Sequence, residues 1–162
     1  MGLGWGVSPQ VGLDGSAEYN PIDDSWRKRA SLPTPRVPGA VSAVRNKCYV
    51  IGGASSGGFV RPPALSVVEE YDPVKNTWRT RAALPEERGM AGSAVVGQKI
   101  YVVGGASRIF WDTESTAAIA IYDPFTDQWS TGADMPTPRL GLVGGRAMRE
   151  SAALDVTEEY VP

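Results

Sequence analysis

Residues 71–88 read YDPVKNTWRTRAALPEER, and residues 122–139 read YDPFTDQWSTGADMPTPR. Earlier, residues 19–36 read YNPIDDSWRKRASLPTPR. Tyr71-Asp72-Pro73, Trp78, Leu84-Pro85 and Arg88 recur as Tyr122-Asp123-Pro124, Trp129, Met135-Pro136 and Arg139. In the earliest copy they stand as Tyr19-Asn20-Pro21, Trp26, Leu32-Pro33 and Arg36. Tyr to Trp is seven residues in every copy, Trp to Leu or Met is six, and the following Pro to Arg is three. A period of about fifty residues with fixed internal offsets marks a repeat architecture.

One unit, from Arg88 to Pro136, reads as four short strands. Gly89 to Val96 alternates small and apolar residues and ends at a Gly97-Gln98 turn. Lys99 to Val103 is β-branched and aromatic and stops at Gly104-Gly105, so the two segments pair as a hairpin. Residues 106–114 form a loop. Thr116 to Tyr122 is a third strand, apolar enough to be buried on both faces. Asp123 to Asp127 is a turn, with proline setting φ and aspartate able to bond the backbone. Trp129 opens a fourth, outer strand that Met135-Pro136 closes. Four short strands per repeat describe a propeller blade. The Tyr122 and Trp129 rings flank the last turn and suit the wedge between blades. The double glycine admits close backbone contact where a β-carbon would clash.

On these residues the chain resembles the kelch repeat family. They are the Gly52-Gly53 and Gly104-Gly105 pairs, the Tyr-Asp-Pro turns, Trp78 and Trp129, and the Leu/Met-Pro-x-x-Arg closures. The resemblance covers residues 17–162 or so. It implies an all-β fold of kelch-type β-propeller blades, each a four-stranded antiparallel sheet, in rings of usually about six or seven blades.

Residues 1–162 read as a single kelch-repeat domain of about three blades, an incomplete ring. A partial blade covers 1–35, with a relic strand near Leu3 to Val7. Full repeats cover 36–85 and 86–136, and a shortened repeat covers 137–162. Arg36 to Gly52 and Arg88 to Gly104 are both sixteen residues, but Arg139 to Gly144 is only five. Ala153 to Tyr160 then reads as a third strand with no fourth after it. Fewer than four blades rarely close, and open blade faces invite association. Three arrangements are open: a homodimer completing a six-bladed ring by exchanging terminal strands, a piece of a larger propeller, or a compact monomer whose ends pair.

Composition narrows the function. Hydrophobic residues make up 42%, enough for a packed core, and nineteen glycines with thirteen prolines oppose long helices. Sixteen basic and eighteen acidic residues are interspersed, for a net charge of −2, so neither nucleic acid nor a membrane surface is an expected partner. No apolar run is long enough to span a bilayer as a helix, and no secretion signal or myristoylation motif is read near Met1, so a cytoplasmic setting is expected. Histidine is absent and Cys48 is the single cysteine, so no metal or other cofactor is expected. Cys48 aligns with Ile100 and reads as a small buried hydrophobe. The copper chemistry known in one branch of the resembled family needs histidine ligands and is rejected.

Arg36, Arg88 and Arg139 hold equivalent positions before the innermost strand. In the resembled family that place reaches one mouth of the central channel, where arginines line ligand pockets. A ring of guanidinium groups there suits carboxylates. The alternative is that each arginine bonds loop carbonyls and caps its own blade. Arg61, Arg108, Phe59, Phe110 and Trp111 lie in the long loops between second and third strands, where function often resides. The ligand-binding set is therefore Arg36, Arg88, Arg139, Arg61, Arg108 and Trp111, with no catalytic residue named. Glu86 and Glu87 read as a solvated turn. The expected function is a protein-interaction module whose partner is another protein or an acidic peptide, bound at an arginine-lined mouth. Two alternatives stand beside it: a carbohydrate-active kelch enzyme resembling a sialic-acid mutarotase or epimerase, in which Glu and Arg act on a sugar acid, and a structural propeller fragment without ligand.

Overall fold

A computed structural model describes residues 14–37, 39–55, 63–107 and 115–140. Leu3 to Val7, Ala153 to Tyr160 and the shortened repeat beyond residue 140 lie outside the described residues. What is described is all-β, without a helix among those residues. The strands are β1 (Ala17–Asn20), β2 (Ser25–Lys28), β3 (Arg36–Val37), β4 (Ala40–Val44), β5 (Lys47–Ile51) and β6 (Ala54–Ser55). They continue as β7 (Val68–Asp72), β8 (Thr77–Arg81), β9 (Gly92–Val96), β10 (Lys99–Val103), β11 (Ile119–Asp123) and β12 (Gln128–Thr131).

Two antiparallel four-stranded sheets, β4-β5-β7-β8 and β9-β10-β11-β12, are the two full blades. The β1-β2 hairpin is the outer half of a preceding blade, and β3 pairs with β6 in a small ribbon. Inner hairpins turn at Arg45-Asn46 (φ 53° and 58°) and Gly97-Gln98 (φ 55° and 67°). Two consecutive left-handed residues give the mirror-image turn that matches strand twist. At the outer turns, Asp72 accepts the amides of Val74 and Lys75, and Asp123 accepts that of Phe125. These are side-chain turns of the kind aspartate favours.

The core lies between the two blades. Tyr49, Ile51 and Val68 of one face meet Ile100, Val102, Ala120 and Tyr122 of the next. The Tyr49 and Tyr122 rings meet edge-on at 5.8 Å. Beside the innermost strands, Ser42 donates to Ser93 at 2.8 Å. Because side chains alternate along a strand, β5 buries Tyr49 and Ile51, while β10 buries Ile100 and Val102. Cys48 sits on the other face of β5 from Tyr49 and is half-buried rather than buried.

Two strands are shorter than their sequence implies. Met90 takes φ 55°, which breaks the first strand, so Gly89 instead bridges Ala106 and β9 starts at Gly92. Thr116 to Ala118 leave the third strand because their carbonyls are used elsewhere. Thr116 O accepts Arg139 N–H, and Ala117 O accepts Met135 N–H.

Candidate functional site

Each double glycine receives the start of the following repeat. Gly53 N–H donates to Arg88 O (2.8 Å), and Gly105 N–H donates to Arg139 O (2.9 Å). A β-carbon on Gly52 or Gly104, both in the left-handed region, would collide with those same carbonyls. Arg88 and Arg139 are thereby held against the double glycines.

Their side chains do not line an open mouth. Arg36 and Arg139 are completely buried and Arg88 nearly so. Arg36 donates to Val50 O (3.2 Å) and pairs with buried Glu69 at 2.9 Å. Burial pulls its pKa down against the opposing pull of Glu69. Thr34 Oγ1 donates to the other Glu69 oxygen at 2.8 Å. Arg88 donates to Ala118 O (2.8 Å) and lies 3.5 Å from the exposed carboxylate of Glu86. Arg139 Nε donates to Thr137 O at 3.4 Å. The expectation of a water-filled ring of cations is corrected: each guanidinium is buried and donates to a backbone carbonyl. Arg61, Arg108, Trp111, Phe59 and Phe110 lie outside the described residues.

A cleft of about 580 Å³ opens at this end of the second blade. Glu86, Glu87, Ser107, Ser115 and Thr116 line it, with Arg88 beside them. Ser107 and Ser115 are the described residues on either side of 108–114. Glu86 and Glu87 read as mere turn residues in sequence; the serines carried no signal at all.

A second polar cluster sits between the blades. Buried Glu70 accepts from Tyr49 OH (2.8 Å), Arg79 Nε (3.0 Å) and Arg81 Nε (2.7 Å). Burial first, and then the bond to Glu70, push the Tyr49 phenol up to about 12. Burial and Asp127 push Tyr122 up as well. A folded-state pKa above the unfolded value means the native chain holds its proton more tightly. That stability is complete below pH 10 and is lost as pH rises from 10 toward about 12. Denaturant midpoints taken across that window are expected to fall, and Tyr49→Phe is expected to flatten the fall. A Tyr49→Phe curve parallel to the parent's would mean that Tyr49 titrates as if exposed.

Successive four-stranded blades stitched by double glycines and interblade aromatic pairs define a β-propeller repeat. The family description "Kelch motif" matches residues 35–85 and 87–136, well over half the chain, and the chain belongs to the kelch-repeat family. It is 33% identical over 135 residues to Kelch-like protein 25 of Xenopus tropicalis, covering 83% of this chain and 21% of that protein. Against Beta-scruin of Limulus polyphemus it is 32% identical over 165 residues, covering 91% of this chain and 18% of scruin. The human Kelch repeat and BTB domain-containing protein 12 is 33% identical over 77% of this chain and 21% of its own length. The chain thus spans a fifth or so of the relatives it matches. The solved structure of YjhT superposes with a TM-score of 0.65 at 20% identity, over 80% of this chain and 49% of that one. At that identity the likeness speaks for the propeller fold alone.

Proposed function

We propose that the chain is a protein-interaction module that binds a segment of another protein in the cleft beside Arg88. The observation that carries this is the cleft itself. It lies at the loop end of a rigid blade and is walled by carboxylates and hydroxyls, a hydrogen-bonding groove of a size to accept peptide side chains. Within this proposal the partner's own carboxylates meet Arg61 and Arg108, with Trp111 as an aromatic contact. Arg36, Arg88 and Arg139, buried against backbone carbonyls, hold the blade ends in shape.

Fluorescence anisotropy with labelled acidic, neutral and basic peptides tests the reading. An acidic peptide is expected to bind most tightly. Arg61→Ala with Arg108→Ala is expected to remove that preference and to flatten its salt dependence, since exposed charges are screened by salt. A preference for basic peptides that disappears in Glu86→Gln with Glu87→Gln would overturn the acidic-partner reading, and no binding to any peptide class would overturn the cleft as the site.

A further inference from the structure

Ser31 closes the stretch Arg27-Lys28-Arg29-Ala30-Ser31, so that cations stand four, three and two positions before its hydroxyl. Three consecutive basic residues occur nowhere else in the chain. The matching stretch of the next repeat, Arg79-Thr80-Arg81-Ala82-Ala83, has two cations and no terminal hydroxyl. In the repeat after that, Ser130-Thr131-Gly132-Ala133-Asp134, there is no cation at all. Building a blade therefore does not require the basic run or the serine.

The structure presents that serine. Ser31 is exposed and lies between β2 and β3, in no strand. Exposure belongs to the position itself. Ala83 and Asp134, each five residues after its own tryptophan as Ser31 is, are exposed too. Ala83 is so with a described sheet before its blade and another after it. Asp134 shows that the fold accepts an anion at this place. Among the described residues Ser31 Oγ makes no hydrogen bond. Its neighbours Ser25 and Thr34 are already bonded, to Asp23 at 2.5 Å and to Glu69 at 2.8 Å. Upstream, Arg27 and Lys28 are exposed on β2. Arg27 and Arg29 both turn to the exposed carboxylate of Glu18, at 2.7 and 2.6 Å. Ion pairs so placed are weak, and a competing carboxylate can take their cations.

We infer that Ser31 is a phosphorylation site for a protein kinase that reads upstream cations. The kinase's carboxylates meet Arg27, Lys28 and Arg29 by charged hydrogen bonds. Leu32 is buried and takes no part in the recognition. In the transfer, Ser31 Oγ attacks the γ-phosphorus of ATP. The bond from that phosphorus to the bridging oxygen breaks, ADP leaves, and the hydroxyl proton passes to the kinase's base. The product carries about −1.5 to −2 of new charge. That charge stands next to Ala30, whose amide and carbonyl are held by Asn76 (2.9 Å) and Trp78 (2.8 Å) of the following blade.

The test is phosphate transfer to the whole folded chain from labelled ATP. The probe is the catalytic subunit of cyclic-AMP-dependent protein kinase, which selects basic residues before a serine; an acid-directed kinase is the control. Mass spectrometry is expected to place the phosphate on Ser31 with the first kinase and not with the second. Ser31→Ala copies Ala83, is expected to melt with the parent, and is expected to take up no phosphate. Lys28→Ala is expected to lower kcat/KM about tenfold, the usual worth of one charged hydrogen bond. Glu18→Gln frees Arg27 and Arg29 and is expected to raise kcat/KM. A folded chain that takes up nothing overturns the inference. So does uptake that survives Ser31→Ala, or uptake that begins only after the chain is unfolded by heat. Lys28→Ala and Glu18→Gln rates both equal to the parent's would overturn the reading of the cations as the recognition element.

Discussion

Replacing Arg36 by alanine is expected to lower the unfolding free energy by about 3–5 kcal/mol, the usual effect of breaking a buried ion pair from one side. Arg36 is 0% exposed and Glu69 is 1% exposed. Without the guanidinium, Glu69 keeps only the Thr34 hydroxyl as a hydrogen-bond donor. The stranded charge cannot reach water, and domains of this size carry only about 5–15 kcal/mol in total, so the variant sits close to unfolding. Glu69→Ala is expected to cost less. The next blade has Ala120 at the matching place, and Arg88 there turns to the carbonyl of Ala118. Arg36 has the same way out. Replacing both members with apolar residues of similar volume is expected to come near neutral, because the desolvation cost of both charges disappears together. Urea melts of the three variants check the order. An Arg36→Ala midpoint equal to the parent's would mean that the side chain faces solvent after all.

Trp129→Ala is expected to cost about 3 kcal/mol, the lower end for emptying a large aromatic site, because the ring is half-buried. Its indole packs on Tyr122 at 4.9 Å and donates to Ala82 O at 2.9 Å, so the substitution loosens one blade from the other. Trp129→Phe keeps most of the ring and loses the donor, for an expected cost of about 1 kcal/mol. Trp78→Ala acts on the smaller contact with the two-stranded hairpin and is expected to rank second. Trp26→Ala, measured at dilution, is expected to fall within about 0.5 kcal/mol of the parent, as exposed substitutions do. A Trp26 variant that melts below Trp129→Ala would mean the blade boundaries are drawn in the wrong place.

The blades, their hairpins and the interblade aromatic pairs were legible in the amino-acid sequence because each rests on local chemistry repeated at constant spacing. The Gly97-Gln98 turn, the Asp123 side-chain turn and the alternation in Lys99 to Val103 depend only on residues a few positions apart. One further signal was present and went unread. Asp24, Asn76 and Asp127 recur five residues after each tyrosine, a place where φ must be positive. That recurrence marks the contact between blades, in which Asn76 accepts Ala30 N–H and Asp127 accepts Ala82 N–H.

The placement of charge was decided only by the tertiary structure. Of the adjacent Glu69 and Glu70, one carboxylate closes on Arg36 and the other on Tyr49, Arg79 and Arg81. The contrast with Ala120-Ile121 in the next copy was visible but did not say which way either side chain goes. The three arginines looked like a ring of cations at a mouth, and they are buried against backbone carbonyls. The reason is one of range. A strand or a turn is determined by neighbours along the chain. Whether a guanidinium meets water or a carbonyl depends on backbone that a blade brings back from fourteen to thirty residues away, as Val50 is brought to Arg36 and Ala118 to Arg88.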